Sequence, residues 1–162
     1  MAANGELIDL VLTERWPVWR VRAVVDDVLP PGWRLMDLYD VWLAGPPLAG
    51  RVAAADYRIV LSGEVPLDRV RAAATALLAA ERLPRERAKG SGTVAYDLRP
   101  LLLDLAVSAG PPATVACRTR LHPELGSGRP EEVLLALAAQ AGVDLNPIEV
   151  IRDRLLLADD VA

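Results

Sequence analysis

The chain predicts an α+β domain: a ferredoxin-like βαββαβ sandwich extended by a β-hairpin, a helix and a final strand. Three observations predict it. Stretches with two-residue apolar alternation and stretches with helical spacing follow one another in that order. Proline and glycine clusters punctuate them at PPG (30–32), AGPPLAG (44–50) and AGPPA (109–113). A hydrophobic fraction of 52% over 162 residues is enough for a packed interior without a disulfide or metal staple.

Element by element, ELIDLVL (6–12) alternates weakly and predicts a strand. Pro17 suits the first turn of a helix, Val18, Val21, Val25 and Val28 recur near helical spacing, and PPG stops it. WRLMDLYDVWL (33–43) and ADYRIVLSG (55–63) predict two further strands. PLDRVRAAATALLAAERL (66–83) is the clearest helix, with Val70, Ala74, Leu77 and Leu78 as its apolar stripe. A basic loop, RERAKGSG, precedes TVAYDLRP and LLLDLAVS. Pro100 between those two marks an edge, a bulge or a break, because it cannot donate to a ladder. TVACRTRL (114–121) returns as a strand, RPEEVLLALAAQAG (129–142) is a helix ended by Gly142, and IEVIRDRLLLA (148–158) is a strand or a short helix. The expected organisation is one compact domain over 1–162, with a βαββα part at 1–92 and a hairpin–helix–strand part at 93–162.

Composition narrows the chemistry. Cys117 and His122 are the only cysteine and the only histidine. They cannot make a four-ligand structural zinc site or a thiolate-bound iron–sulfur cluster. No Walker A, G-x-G-x-x-G or G-x-S-x-G pattern occurs, and no apolar run reaches the roughly 18 residues of a membrane span. No secretory signal is visible at MAANGELIDL, so the expected setting is a bacterial cytoplasm with no membrane contact. No metal and no cofactor is expected, and no catalytic residue is assigned. Net charge is −4, yet residues 82–129 carry 8 basic and 4 acidic groups. An acidic whole argues against a general DNA coat but allows a local basic patch.

Two stretches are candidates for anion binding. In ELGSGRPEE, Gly126 and Gly128 allow close backbone approach, Pro130 fits the first helical position, and Arg129 stands at the mouth of the helix start. Glu131 and Glu132 already occupy that first turn, so the same residues also describe a loop that merely becomes a helix, with Arg129 pairing elsewhere to hold it. The second stretch is RLPRERAKGSG with Arg85, Arg87 and Lys89, joined by Arg118 and Arg120 on the exposed parity of their strand. If the loop folds over that face, the five cations could neutralise several phosphates, or they are a solvated charged loop. Asp104 is placed to bridge to Arg118 or Arg120, and Tyr96 is the one aromatic nearby. Cys117 shares parity with Val115 and Leu121 and is expected in the core. His122 is expected to be solvated or bonded within its loop. In YDLRP, Asp97 and Arg99 lie two apart on an expected strand and could form an ion pair there, or act on an anionic substrate.

Several of these stretches resemble a bacterial family, a domain of unknown function known as the radical-SAM-linked proteins. The matches are Leu29, Pro30 and Gly32, then Ala55 and Tyr57, then Arg87 and Lys89, then Asp97, Arg99 and Pro100, and finally Gly126, Arg129 and Pro130. The resemblance runs from Glu6 to about Leu157. It implies an accessory or adaptor role beside a radical SAM protein, with RNA as a candidate ligand, and this chain is not itself a radical SAM enzyme. The family's fuller form starts with a Ser-His-[LM]-Asp-like segment, so the chain resembles its C-terminal part. That implies an apolar surface left for a partner, for which Trp16, Trp19, Trp33 and Trp42 are candidates. A small enzyme with an Asp/Arg site and a purely structural interaction module are the alternative readings.

Overall fold

The structure is a computed structural model that describes residues 2–41, 47–90 and 92–161, without the side chains of Ala49 and Lys89. Trp42 lies outside the described residues. In chain order the elements are β1 (Ala2–Ala3), α1 (Val18–Val28), β2 (Val52–Leu61), α2 (Leu67–Ala79), β3 (Pro84–Lys89) and β4 (Gly92–Asp97). They continue with β5 (Leu102–Ser108), β6 (Thr114–His122), β7 (Gly126–Ser127), α3 (Pro130–Ala141) and β8 (Pro147–Leu157). Two compact units result, Met1–Leu7 with Arg51–Ala162, and Ile8–Gly50. The division expected near residue 92 falls inside the antiparallel pairing of β3 with β4.

The larger unit is α+β. Its main sheet runs β1-β8-β2-β6-β5, with β7 beside β6 and β3–β4 as a separate two-stranded sheet. β1 is parallel to β8, and the other neighbours are antiparallel. Ile59 and Leu61 of β2, Leu105 of β5, and Val115 and Cys117 of β6 share one core with α2 and α3. That parity leaves Asp56 and Arg58, and Arg118 and Arg120, on the opposite face. The α2 stripe is as expected, since Val70, Ala74 and Leu77 are buried and Leu78 packs against them.

The smaller unit differs from expectation. Residues 6–12 and 33–41 are not in strands, and α1 is the one α-helix among its described residues. The βαββα part expected at 1–92 therefore lacks the strands placed at 6–12 and 33–41. Alternation reports an amphipathic extended chain, whereas a strand exists only where a neighbour completes its ladder. The basic loop is also corrected, because residues 84–89 form β3. Pro100 marks a break, a 3-10 turn over Arg99–Leu101 between β4 and β5. The final segment is a strand along its length, β8.

Both core helices end with help from another element. Neither has a basic residue in its last turn to offset the helix dipole. Arg69 of α2 donates to Ala141 O at the end of α3, 2.8 Å away. Arg99 donates to Leu78 O and Ala80 O at the end of α2, at 2.7 and 3.1 Å, and to Leu102 O at 2.7 Å. These carbonyls have no intrahelical partner, so each arginine supplies both hydrogen bonds and compensating charge.

Candidate functional site

The two candidate stretches meet, but only in part. On the β3–β4 hairpin, Arg85 stands opposite Tyr96 and Arg87 opposite Val94, so the two arginines and the tyrosine share a face. The Arg87 guanidinium lies 4.9 Å from the centre of the Tyr96 ring, and the Tyr96 hydroxyl donates to Glu132 in the first turn of α3. Burial, and next the Glu132 carboxylate, push the Tyr96 hydroxyl well above its ordinary range. Arg85, Tyr96, Glu132 and Leu135 help to line an open hollow of about 430 Å³.

The glycine turn reaches the same place. Gly126 has φ +84°, and a Cβ there would stand 2.9 Å from Arg87 Nη2, so the guanidinium lies directly against the backbone. Gly128 is needed for another reason. A Cβ would stand 2.9 Å from both Leu101 O and Thr119 Cβ, while Thr119 Oγ1 donates to Gly128 O at 2.9 Å. Arg129 is the N-cap residue of α3 by backbone position; its side chain is exposed and makes no hydrogen bond or ion pair among the described residues. Arg85 likewise makes neither.

Arg118 and Arg120 belong to a different surface. Hairpin and glycine turn lie toward α3, whereas Arg118 and Arg120 point from the other face of β6, so the expected single five-cation surface is not formed. Arg118 is occupied there by a two-point bond to Asp56, at 2.7 and 3.1 Å, and Arg154 donates to the same carboxylate at 2.7 Å. Asp104 does not bridge as expected. Asp104 and Asp56 both stand opposite Arg118, from β5 and β2, but the guanidinium is committed to Asp56, and Asp104 Oδ1 accepts from the Leu105 amide at 2.9 Å. Arg120 is exposed and unpaired among the described residues.

Asp97 and Arg99 do not bond side chain to side chain. Asp97 accepts from the Leu83 amide at 2.7 Å and the Arg99 amide at 3.0 Å, and Arg82 approaches to 3.6 Å. Pro100 turns the chain, which carries the Arg99 guanidinium to the end of α2 instead. Cys117 is 4% exposed, and burial pushes its thiol up to about 12, which removes thiolate character at neutral pH. His122 is bonded within its loop, its Nδ1 accepting from the Glu124 and Leu125 amides at 3.2 Å. Sequence reasoning missed Arg69 as a helix-capping residue and Asp56 as the acceptor for Arg118. The register of β2 with β6 reveals the second, and no local pattern reveals the first.

Three carboxyls are held below the usual carboxylate range, Asp56 by Arg118, Asp97 by the Leu83 amide and Asp153 by Arg58. Lowered folded-state values mean that their stabilisation is full above the unfolded value, about 4, and is lost as pH falls through the folded ones. The thermal midpoint is therefore expected to decline on acidification below about pH 4. Asp97→Asn should shallow that decline, as followed by circular dichroism.

The protein these features define is an α+β protein with an arginine-bearing hairpin set against a glycine turn, its acid–base motif residues engaged in holding the backbone. The chain belongs to the bacterial family described as "Uncharacterized protein conserved in bacteria (DUF2344)", whose model matches residues 1–142. No match was found among curated proteins or solved structures. Among the described residues no helix is long and apolar enough to cross a membrane, and no three His, Cys, Asp or Glu side chains gather as metal ligands.

Proposed function

We propose that this chain is an accessory or adaptor domain that holds an anionic ligand, RNA in the first instance, for a radical SAM protein partner. The observation that carries the reading is the approach of Arg87, on the hairpin face it shares with Arg85, to the glycine turn that leads to Arg129. Cations with no carboxylate partner among the described residues suit phosphate contacts without base readout. The motif residues with catalytic potential are engaged otherwise: Asp97 on amides, Arg99 on carbonyls, Cys117 in the core. The radical SAM partner rests on the motif resemblance, and the exposed Trp33, Met36 and Tyr39 supply an apolar surface for it. We also take the frame to be ferredoxin-like, begun at β2 and interrupted by the β3–β4 hairpin. The element order β2-α2-β5-β6-α3-β8 and the strand order β8-β2-β6-β5 support this.

A labelled single-stranded RNA of mixed sequence tests the ligand by fluorescence anisotropy. Affinity is expected to fall with salt, and Arg85→Glu with Arg87→Glu should weaken it about tenfold or more at low salt. Equal affinity in wild type and double variant overturns the reading. Retention of a radical SAM protein from native lysate after nuclease treatment tests the partner separately.

A further inference from the structure

We propose that α1 is a self-association element, packing antiparallel against α1 of a second copy. Three observations carry this. First, one face of the helix carries two open valines: Val24 and Val28 are 45% and 70% exposed. Second, the charges are ordered along the helix, with Arg20 and Arg22 in the N-terminal half and Asp26 and Asp27 in the C-terminal half. That order opposes the helix dipole, which favours acids at the start and bases at the end. Third, these four residues form no ion pair with one another or with other described residues. Arg20 lies over the Trp16 ring, 3.9 Å from its centre.

A second copy turned end for end converts the cost into an attraction. Arg20, Val24, Asp27 and Val28 follow i, i+4, i+7, i+8 spacing and so share one face. With the two-fold axis beside Ala23 and Val24, Arg20 of each copy comes level with Asp27 of the other. The two Val24 side chains meet near the axis, and the small Ala23 admits close approach. A parallel pairing would set Arg against Arg and Asp against Asp, so the charges select the two-fold antiparallel arrangement. This inference does not depend on the anion-binding reading.

Sedimentation velocity on the full chain, from low to high micromolar, tests it. Wild type is expected to shift from monomer to dimer. Arg20→Glu with Arg22→Glu should abolish the shift, as should Asp26→Lys with Asp27→Lys, and an equimolar mixture of the two variants should restore it. Each double variant matches the helix dipole better than wild type does, so loss of the dimer would not reflect loss of the helix. A wild-type monomer at every concentration, variants that dimerise like wild type, or a mixture that stays monomeric would each overturn the proposal. A monomeric wild type would leave the α1 face to a different protein.

Discussion

Arg99→Ala is expected to be among the most destabilising single substitutions outside the apolar core, costing about 2–4 kcal/mol. The side chain is part-buried and makes three bonds to backbone carbonyls, two at the end of α2 and one at Leu102. Truncation leaves those acceptors without that donor and removes a positive charge that offsets the end of that helix. Urea unfolding followed by circular dichroism should show a lower midpoint with little change in slope. Arg99→Lys is expected to recover only part of the loss, because an ammonium cannot span three carbonyls in the geometry of a guanidinium. A midpoint within error of wild type for Arg99→Ala would show that water replaces the arginine without cost, and would free Arg99 for a role in ligand contact.

Gly128→Ala should cost a comparable amount, about 1–3 kcal/mol, by overpacking and not by lost bonding. The added methyl meets a backbone oxygen of Leu101 and the Cβ of Thr119, a fully buried residue, each at 2.9 Å. Neither contact is the mobile end of a side chain, so relief requires β6 and the 3-10 turn before β5 to move apart. That movement would also loosen the bond from Thr119 to the Gly128 carbonyl. Gly92→Ala is the matched control, since nothing lies within 4 Å of a Cβ at that position. Equal urea midpoints for the two variants would show that the close approach at Gly128 relaxes freely.

These two residues also mark where local pattern stops being informative. Gly128 stands out in sequence as one of two glycines before a helix, and ligand approach is the natural reading of such a turn. The structure uses it for packing of the chain on itself, and the guanidinium that approaches a glycine backbone belongs to Arg87, which touches Gly126. Arg99 follows Asp97 by two residues, a spacing that puts both on one face of a strand. The strand ends at Asp97 and Arg99 already opens the 3-10 turn, so the inference of an ion pair fails with it. Cys117 and His122 behave as expected because burial parity and loop position are local properties.

The same division runs through the fold. By itself the sequence determined α2, α3, the β5–β6 hairpin, the strand at β2 and the stop at Gly142, since each carries its own apolar period or breaker. It also determined that Arg118 and Arg120 face away from the core, because strand parity needs no partner. Only the tertiary structure decided that 6–12 and 33–41 stay out of strands while the charged PRERAK becomes one. The reason is that a strand is a property of two chain segments. PRERAK has no apolar alternation to announce it, yet β4 lies alongside to complete its hydrogen bonds, whereas the better-patterned segments have no ladder beside them. Long-range contacts likewise decided which arginines cap helices and which pair with Asp56.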